Sequence, residues 1–254
     1  MYIDFHVHVL PDLDDGSKNV WQSIEMLKLS GAAGIRTVVA TPHFRPWETQ
    51  VADFLRKRKK AKQTLESAVA KTAANQDIPK LLCGAECSYI KGMSRYPRLE
   101  ELCLEGTNYL LLELPNGKWS DEMFEELYRL NMHRGLRLMI AHPNRYEQEI
   151  RRLDAIGIFF EIDCLFQLNA GPLARWVKRK WNLSLLSSPV PCVLGSDMHS
   201  EMPEEQSIRQ AGEIIERKLG LKIPDRIQRV SRAVLHNETP VRIKEMWKTH
   251  GQAL

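Results

Sequence analysis

The chain has 254 residues and a net charge of +4, from 36 basic and 32 acidic side chains. Its 43% of hydrophobic and 27% of charged residues are typical of a globular protein and exclude long disorder. No apolar run reaches the roughly 18 residues that a membrane span needs, and Asp4, His6 and His8 interrupt any N-terminal signal peptide. The five cysteines include no CxxC pair, which argues against a disulfide framework. We therefore expect a soluble cytoplasmic protein that forms one domain over residues 1–254.

Seven short runs of apolar or β-branched residues have the pattern of strands that are buried on both faces. In chain order they are Tyr2–Val7, Thr37–Ala40, Lys80–Ala85, Tyr109–Leu114, Arg137–Ala141, Phe159–Ile162 and Pro191–Gly195. Segments with helical spacing separate them, the clearest with apolar stripes at Val20, Ile24 and Leu27 and at Phe54, Ala61, Leu65 and Ala68. This alternation predicts an α/β fold with a parallel sheet, closed or nearly closed into a barrel. An open doubly wound sheet is the alternative, although no glycine-rich phosphate loop follows the first strand.

Histidines and carboxylates concentrate at the ends of these predicted strands. His6 and His8 lie two residues apart on the first strand, so both side chains leave the same face. The other residues of this kind end or follow later strands and are His43, Glu86, Glu113, His142, Asp197 and His199, with Asp15 after the first strand. In a parallel barrel all these strand ends open on one face, where functional sites are built.

The number of ionisable groups at this face predicts metal ions. A single histidine or glutamate at a strand end is usually an ordinary loop residue. Five imidazoles and four carboxylates buried together without cations would be very costly. Imidazole nitrogen and carboxylate oxygen suit divalent first-row ions, and mixed ligands of this kind accept manganese, iron or zinc. Nine ligands exceed what one ion takes, so we predict a site for two or three divalent ions.

The motifs that contain these residues resemble, in order, those of the polymerase-and-histidinol-phosphatase (PHP) superfamily. They are Ile3-Asp4-Phe5-His6-Val7-His8, Asp14-Asp15-Gly16, Ala40-Thr41-Pro42-His43, Gly84-Ala85-Glu86, Ala141-His142-Pro143-Asn144-Arg145-Tyr146 and Gly195-Ser196-Asp197-Met198-His199. The opening segment, through Leu10-Pro11 and Ser23, is most similar to the bacterial manganese-dependent tyrosine-protein phosphatases. Those enzymes are associated with capsule and exopolysaccharide production. The resemblance spans residues 1 to about 200.

The resemblance implies a distorted (β/α)7 barrel with manganese ions at the carboxyl ends of its strands. It implies a first ion held by His6, His8, Glu86 and Asp197. Glu86 would bridge to a second ion, which is completed by Glu113 and His142. The third ion would be held by Asp15, His43 and His199. Arg145 matches the family arginine that contacts substrate phosphate, and we assign catalytic roles to Arg145, Asp197 and His199.

The implied reaction is hydrolysis of a phosphate monoester by in-line attack of a metal-bridging hydroxide on phosphorus. Metal coordination lowers the pKa of water from 15.7 toward about 7, so such a hydroxide exists at neutral pH. A phenolate, with a pKa near about 10, leaves more readily than an alkoxide. We therefore predict a protein-tyrosine phosphatase whose partner is a phosphotyrosyl protein, in the family a bacterial tyrosine kinase. Two alternatives stay open: a histidinol-phosphatase or other small-molecule phosphatase, and a non-catalytic metal-binding module that docks a partner.

One departure from the family pattern lies after His199. Related chains carry a further arginine there that helps to hold phosphate, whereas this chain has the acidic stretch Ser200-Glu201-Met202-Pro203-Glu204-Glu205. The change leaves the predicted metal ligands in place. It leaves open whether phosphate binding and specificity for phosphotyrosyl proteins are the same as in the family.

Three other features have both a functional and a structural interpretation. The basic run Arg56–Lys60 is predicted to be the solvated face of a helix, with contact to an acidic partner or to the membrane surface as the alternative. Arg175–Trp181 mixes basic and aromatic residues, but an amphipathic helix explains it more simply than nucleic-acid binding, which we do not expect. Aromatic residues beside the predicted ligands either form a slot for an aromatic leaving group or pack the loops; they are Phe44, Trp47, Tyr89 and Trp119.

Overall fold

The computed structural model describes residues 2–73, 76–201 and 207–248. The strands in these ranges are β1 (Tyr2–Val7), β2 (Ile35–Ala40), β3 (His43–Phe44), β4 (Lys80–Cys83), β5 (Glu86–Ser88), β6 (Tyr109–Glu113), β7 (Arg137–Ala141), β8 (Leu165–Asn169) and β9 (Cys192–Gly195). The helices are α1 (Val20–Ala32), α2 (Val51–Thr72), α3 (Asp121–Arg134), α4 (Glu147–Arg152), α5 (Ala155–Glu161), α6 (Ala170–Ala174), α7 (Trp176–Leu186), α8 (Ile208–Leu219), α9 (Lys222–Leu235) and α10 (Pro240–Lys248). Short 3₁₀ helices span Met93–Arg95, Leu99–Leu102 and Pro143–Arg145.

The strands form two parallel sheets, of order β1-β2-β4 and β3-β5-β6-β7-β8-β9. Backbone hydrogen bonds join the first strand to the chain after the last one. The Asp197 amide donates to the His6 carbonyl at 2.7 Å, and the His8 amide donates to the Met198 carbonyl at 2.9 Å. The predicted α/β class with parallel strands is confirmed. The described residues do not, however, form one continuous closed ladder.

Local signals in the sequence explain where the helices begin. α1 starts after Asn19, whose side-chain oxygen accepts from the Gln22 amide at 3.0 Å, and α3 starts after Ser120 in the same way. α3 ends at Arg134, and the next residue, Gly135, has a positive φ of 65° that favours glycine. α1 follows β1 and α3 follows β6, so both N-termini come after the carboxyl end of a strand. No helix among the described residues has the length and apolar character needed to cross a membrane.

The prediction of a strand at Phe159–Ile162 is wrong. These residues fall in α5 and at its end, and the strand of this region is β8, Leu165–Asn169. Phe159 packs edge-on against Phe166 with their ring centroids 5.4 Å apart. It is therefore a core residue, as a buried strand would also have made it. A four-residue apolar run does not distinguish a buried helix from a buried strand. The sequence pattern does not predict β8, because the polar residues Gln167 and Asn169 interrupt its apolar run.

The other six predicted strands are present, with small shifts at their ends. Tyr2–Val7 and Arg137–Ala141 have the predicted bounds. The third predicted strand stops at Cys83, and Glu86 then begins the separate strand β5. The sequence did not predict β5 or the two-residue β3, because segments so short have no periodicity to detect. Both carry predicted metal ligands.

Candidate metal centre

The residues predicted as metal ligands meet at the carboxyl ends of the strands. Three groups of side chains have ligand atoms within 4.8 Å of one another. They are His6, His8 and Glu86; His43, Glu86 and Glu113; and His8, Asp15, His43 and His199. Of the nine predicted ligands, only His142 and Asp197 fall outside these groups. Both belong to the same site, because His142 lies 2.8 Å from Glu86 and Asp197 lies 3.4 Å from His6.

The first group forms a buried cage of nitrogen and oxygen atoms. The Nε2 atoms of His6 and His8 lie 3.1 Å apart, and they lie 3.1 and 3.4 Å from Glu86 Oε2. Asp197 Oδ1 is 3.4 Å from the first nitrogen and 3.6 Å from the second. Ligands placed tetrahedrally about 2.0–2.1 Å from an ion are about 3.3–3.4 Å apart. The spacing of the His6, His8 and Glu86 atoms therefore fits a divalent ion between them, with Asp197 Oδ1 beside both imidazole nitrogens.

The central carboxylate supports the same fit. Glu86 is almost fully buried, and its Oε2 atom has no hydrogen-bond partner although it lies 3.0 Å from His43 Nδ1. A buried carboxylate oxygen among imidazole nitrogens is costly unless a cation neutralises it. The donor set and this unpaired atom suit a divalent first-row ion.

The other oxygen of Glu86 faces His142, which lies outside the three groups. His142 Nε2 is 2.8 Å from Glu86 Oε1 and 3.7 Å from Glu113 Oε1. Glu113 ends β6, and His142 follows β7 with an unusual φ of 34°. Asp197 also has a positive φ, of 56°. Left-handed backbone at a residue other than glycine carries strain, which is common at functional sites.

The third group is more open to solvent. Asp15 Oδ1 lies 3.3 Å from His43 Nε2 and 3.5 Å from His199 Nε2. The His199 ring stacks on the His8 ring with centroids 3.9 Å apart, so this group adjoins the buried cage. Asp15 is 60% exposed, whereas His6 and His8 are completely buried.

The ionisation of the cage follows from its charges. Burial opposes charge on Glu86, but the attraction of His6 and the hydrogen bond with His142 outweigh it, and the pKa of Glu86 lies well below its usual value. The pKa of Asp197 is lowered in the same way, against burial, mainly by His6 and His8. Burial lowers the pKa of His142, which keeps its imidazole neutral and able to bind a metal. Glu86 and Asp197 are thus ionised at neutral pH.

Sequence reasoning missed Asp14, although it noted the motif that contains it. His8 Nδ1 lies 2.7 Å from Asp14 Oδ2, which also accepts from the His43 amide at 2.9 Å. Burial raises the pKa of Asp14, but its bond with His8 prevails and lowers that pKa to about 2. Gly16 permits this loop, because a Cβ there would lie 2.2 Å from the His8 carbonyl oxygen. Asp14 therefore orients His8 and leaves its Nε2 directed into the cage.

Arg145 lies at the edge of the site. Its Nη2 atom donates to Asp197 Oδ2 at 2.5 Å, and its Nη1 atom is 3.2 Å from His142 Nε2 and 3.8 Å from Glu113 Oε1. The guanidinium is 44% exposed, so one side of it faces solvent. Ser200 and Glu201 are described, whereas the rest of the acidic stretch, Met202–Glu205, lies outside the described residues.

The aromatic residues that the sequence places beside the site differ in their burial. Phe44 and Trp119 are buried in the core, where Phe44 packs edge-on against Phe54 and Trp119 against Phe159. Tyr89 is partly buried and packs against the core. Trp47 is 63% exposed, four residues after His43. Trp47 is therefore the strongest remaining candidate for a slot residue.

The two basic segments make contacts within the chain. Arg58 donates to the Gly84 carbonyl at 2.6 Å and Arg56 pairs with Asp53, so Arg56–Lys60 is not a uniformly free charged face. In Arg175–Trp181, the Arg151 guanidinium lies 4.7 Å from the centroid of the Trp181 ring and covers it. The side chains of Trp176 and Val177 lie outside the described residues.

The fold and the site define a class of protein: a parallel α/β protein with clustered histidines and carboxylates at the carboxyl ends of its strands. The family model for capsular polysaccharide synthesis, CpsB/CapC, matches residues 2–235, and the chain belongs to this family. Its membership confirms the resemblance found in the motifs.

Individual relatives cover nearly the whole chain. The tyrosine-protein phosphatase YwqE of Bacillus subtilis is 25% identical over 93% of this chain and 92% of its own length. The tyrosine-protein phosphatase CpsB of Streptococcus pneumoniae is 26% identical over 87% of this chain and 92% of its own. A crystal structure from a study of YwqE and CpsB, described there as metal-dependent tyrosine phosphatases, matches with a TM-score of 0.80. It is 26% identical and covers 93% of this chain and 95% of the solved one.

Proposed function

We propose that this protein is a metal-dependent phosphomonoester hydrolase that acts as a protein-tyrosine phosphatase. The observation that carries the proposal is the cage of His6, His8 and Glu86 with Asp197 beside it. Arg145 is hydrogen-bonded to Asp197. Family membership and the names of the relatives support the same activity. We propose that residues 1–254 form one domain of the distorted (β/α)7 barrel type.

The nine predicted ligands would hold two or three ions, with manganese first and iron or zinc as alternatives. His6, His8, Glu86 and Asp197 would hold one ion. Glu86, Glu113 and His142 would hold a second, and Asp15, His43 and His199 a third. Divalent ions in such a site supply a nucleophile derived from water at neutral pH and neutralise phosphoryl oxygens.

The protein's own residues bind and orient the phosphate. Arg145 can present its exposed N–H groups to two phosphoryl oxygens, because a guanidinium matches the geometry of phosphate. Its positive charge would stabilise the oxygens as the bond to the leaving group breaks. Asp197 holds Arg145 at the edge of the cage through the 2.5 Å hydrogen bond.

The cysteines do not provide an alternative nucleophile. All five are buried and unpaired, and burial raises the pKa of each thiol, to about 11 for Cys83 and about 12 for Cys103. A thiolate is the reactive form of cysteine, and these environments disfavour it. A thiol-based phosphatase mechanism therefore has no support here.

Substrate class follows from the openness of the site. Asp15, Arg145 and His199 are each at least a third exposed, and the side chain of Trp47, four residues after His43, is in solvent. An open mouth of this kind admits a side chain that is attached to a protein, whereas a small metabolite favours a closed pocket. This favours phosphotyrosine over histidinol phosphate. We propose that the partner is a bacterial tyrosine kinase of capsule synthesis and that the protein works in the cytoplasm.

Initial rates on three substrates test the proposal: a phosphotyrosyl peptide, a phosphoseryl peptide and histidinol phosphate. We expect manganese-loaded protein to prefer the phosphotyrosyl peptide, and chelation or Asp197→Ala to lower the rate by more than about a hundredfold. A rate that survives both chelation and the substitution would contradict the metal-dependent mechanism. Preference for histidinol phosphate would select the small-molecule alternative. Bound metal without any turnover would select the binding module.

A further inference from the structure

We propose that Gln167 is a positioning residue that fixes the tautomer of His6 and links it, through Asn169, to Asp197. The inference rests on the proposed function, because His6 and Asp197 are two proposed ligands of the same ion. Gln167 lies on β8, the strand that the sequence analysis missed, and it is completely buried. Its role would be to orient both ligands without touching the ion.

The hydrogen bonds around Gln167 have only one consistent direction. Gln167 Oε1 accepts from the His142 backbone amide at 3.2 Å, and a backbone amide can only donate. This fixes which end of the side-chain amide is oxygen. The same oxygen lies 2.8 Å from His6 Nδ1, which must therefore carry the proton. In the neutral imidazole that binds a metal, the lone pair then lies on His6 Nε2, which faces Glu86 and Asp197.

The other end of the chain of hydrogen bonds is fixed in the same way. Asp197 Oδ2 is a carboxylate oxygen and accepts from Asn169 Nδ2 at 2.8 Å. Asn169 must then turn its oxygen toward Gln167, and Gln167 Nε2 donates to that Oδ1 atom at 2.9 Å. Donors and acceptors agree at every step from His6 to Asp197. A single neutral chain thus sets the direction of both ligands.

The neighbouring strands leave room for this chain. β8 lies between β7 and β9, with Ala141 opposite Gln167 and Gly195 opposite Asn169. A Cβ at position 195 would lie 2.5 Å from Gln167 Nε2 and 2.7 Å from His6 Cβ. Glycine at this position is therefore required for the amide and the imidazole to lie side by side.

The chemistry of Gln167 complements that of Asp14. Asp14 orients His8 with a charged carboxylate, whereas Gln167 orients His6 with a neutral amide. Partners that hold the second nitrogen of a ligating histidine fix its orientation, and their loss typically costs 10–100-fold in metal affinity. A second carboxylate beside Glu86 and Asp197 would add to their mutual repulsion. A neutral amide orients His6 without that cost.

Calorimetric titration of the metal-free protein with manganese tests the role of Gln167. We expect Gln167→Met, which keeps length but removes all three side-chain hydrogen bonds, to weaken the tightest site by about 10–100-fold. Gln167→Glu keeps the acceptor for His6 and should lose less. Asn182→Leu is the matched control, because Asn182 is equally buried but bonds to the Lys178 carbonyl in α7. It should unfold more easily without a change in manganese affinity.

The outcomes separate this inference from the proposed function. Wild-type affinity in Gln167→Met, or equal losses in the Met and Glu variants, would overturn the positioning role while metal-dependent turnover of the wild type stood. Failure of the wild type to bind manganese would overturn the proposed function itself. If the variants do not fold, ¹⁵N NMR of the zinc-loaded wild type decides: His6 must be protonated at Nδ1, and protonation at Nε2 contradicts the proposal.

Discussion

The buried cage of His6, His8 and Glu86 and the open group of Asp15, His43 and His199 use the same ligand chemistry in different surroundings. The cage is at most 1% exposed, whereas Asp15 is 60% and His199 34% exposed. Water screens charges in the open group, but the charges of the cage interact at low effective dielectric. An ion should therefore bind the cage tightly and exchange readily from the open group. The proposed phosphotyrosyl substrate would meet the open group first, because that group is the more exposed.

The largest effect should come from Glu86→Gln. Glu86 contacts the imidazoles of His6 and His142 from its two oxygens, and it is the carboxylate shared by the proposed first and second ions. Removing its charge should lower turnover by at least about a thousandfold and reduce bound manganese, measured by initial rate and elemental analysis. Glu126→Gln is the control, since Glu126 is 3% exposed but lies on α3. Equal activity of the two variants would contradict the central role of Glu86.

Arg145→Ala separates phosphate binding from metal binding. We expect about a hundred- to thousandfold lower kcat/KM, because a positive charge near the phosphoryl oxygens is lost, with little change in manganese content. Arg152→Ala is matched in exposure, at 42% against 44%, and Arg152 pairs with Glu149 away from the site. A normal kcat/KM in Arg145→Ala would remove Arg145 from the proposed mechanism.

Asp15→Asn should have the smallest effect and sharpen the contrast between the two groups. Since Asp15 is exposed, its loss should lower the rate by about tenfold at limiting manganese, and excess manganese should restore most of the activity. Asp53→Asn, an exposed aspartate of α2 that pairs with Arg56, is the control and should match the wild type. If Asp15→Asn were as damaging as Glu86→Gln at every manganese concentration, the distinction between the groups would be wrong.

The sequence predicted the parallel α/β class and the residues that meet at the strand ends, because strand ends of a parallel sheet converge by geometry. It did not predict β8, where Gln167 and Asn169 replace the apolar residues of a buried strand. For the same reason it missed the hydrogen-bonded chain from His6 to Asp197. A polar residue inside a buried strand has no periodic signal and is recognised only from its partners.

The aromatic residues near the ligands show a second limit of prediction from the sequence. Phe44 follows His43 directly, yet its side chain points into the core, while Trp47 points into solvent. Proximity in sequence does not reveal the direction of a loop side chain, because the backbone of the loop sets it. The orienting role of Asp14 was missed for a related reason, since two adjacent aspartates cannot be told apart without the fold of their loop.

Anomalous diffraction at the manganese absorption edge, from crystals of the manganese-loaded protein, shows where the ions bind. We expect a strong peak within bonding distance of Nε2 of His6, Nε2 of His8 and the carboxylates of Glu86 and Asp197. We also expect a weaker, partly occupied peak beside Asp15 and His199. No peak in the cage, or full occupancy at the open group with an empty cage, would contradict this expectation.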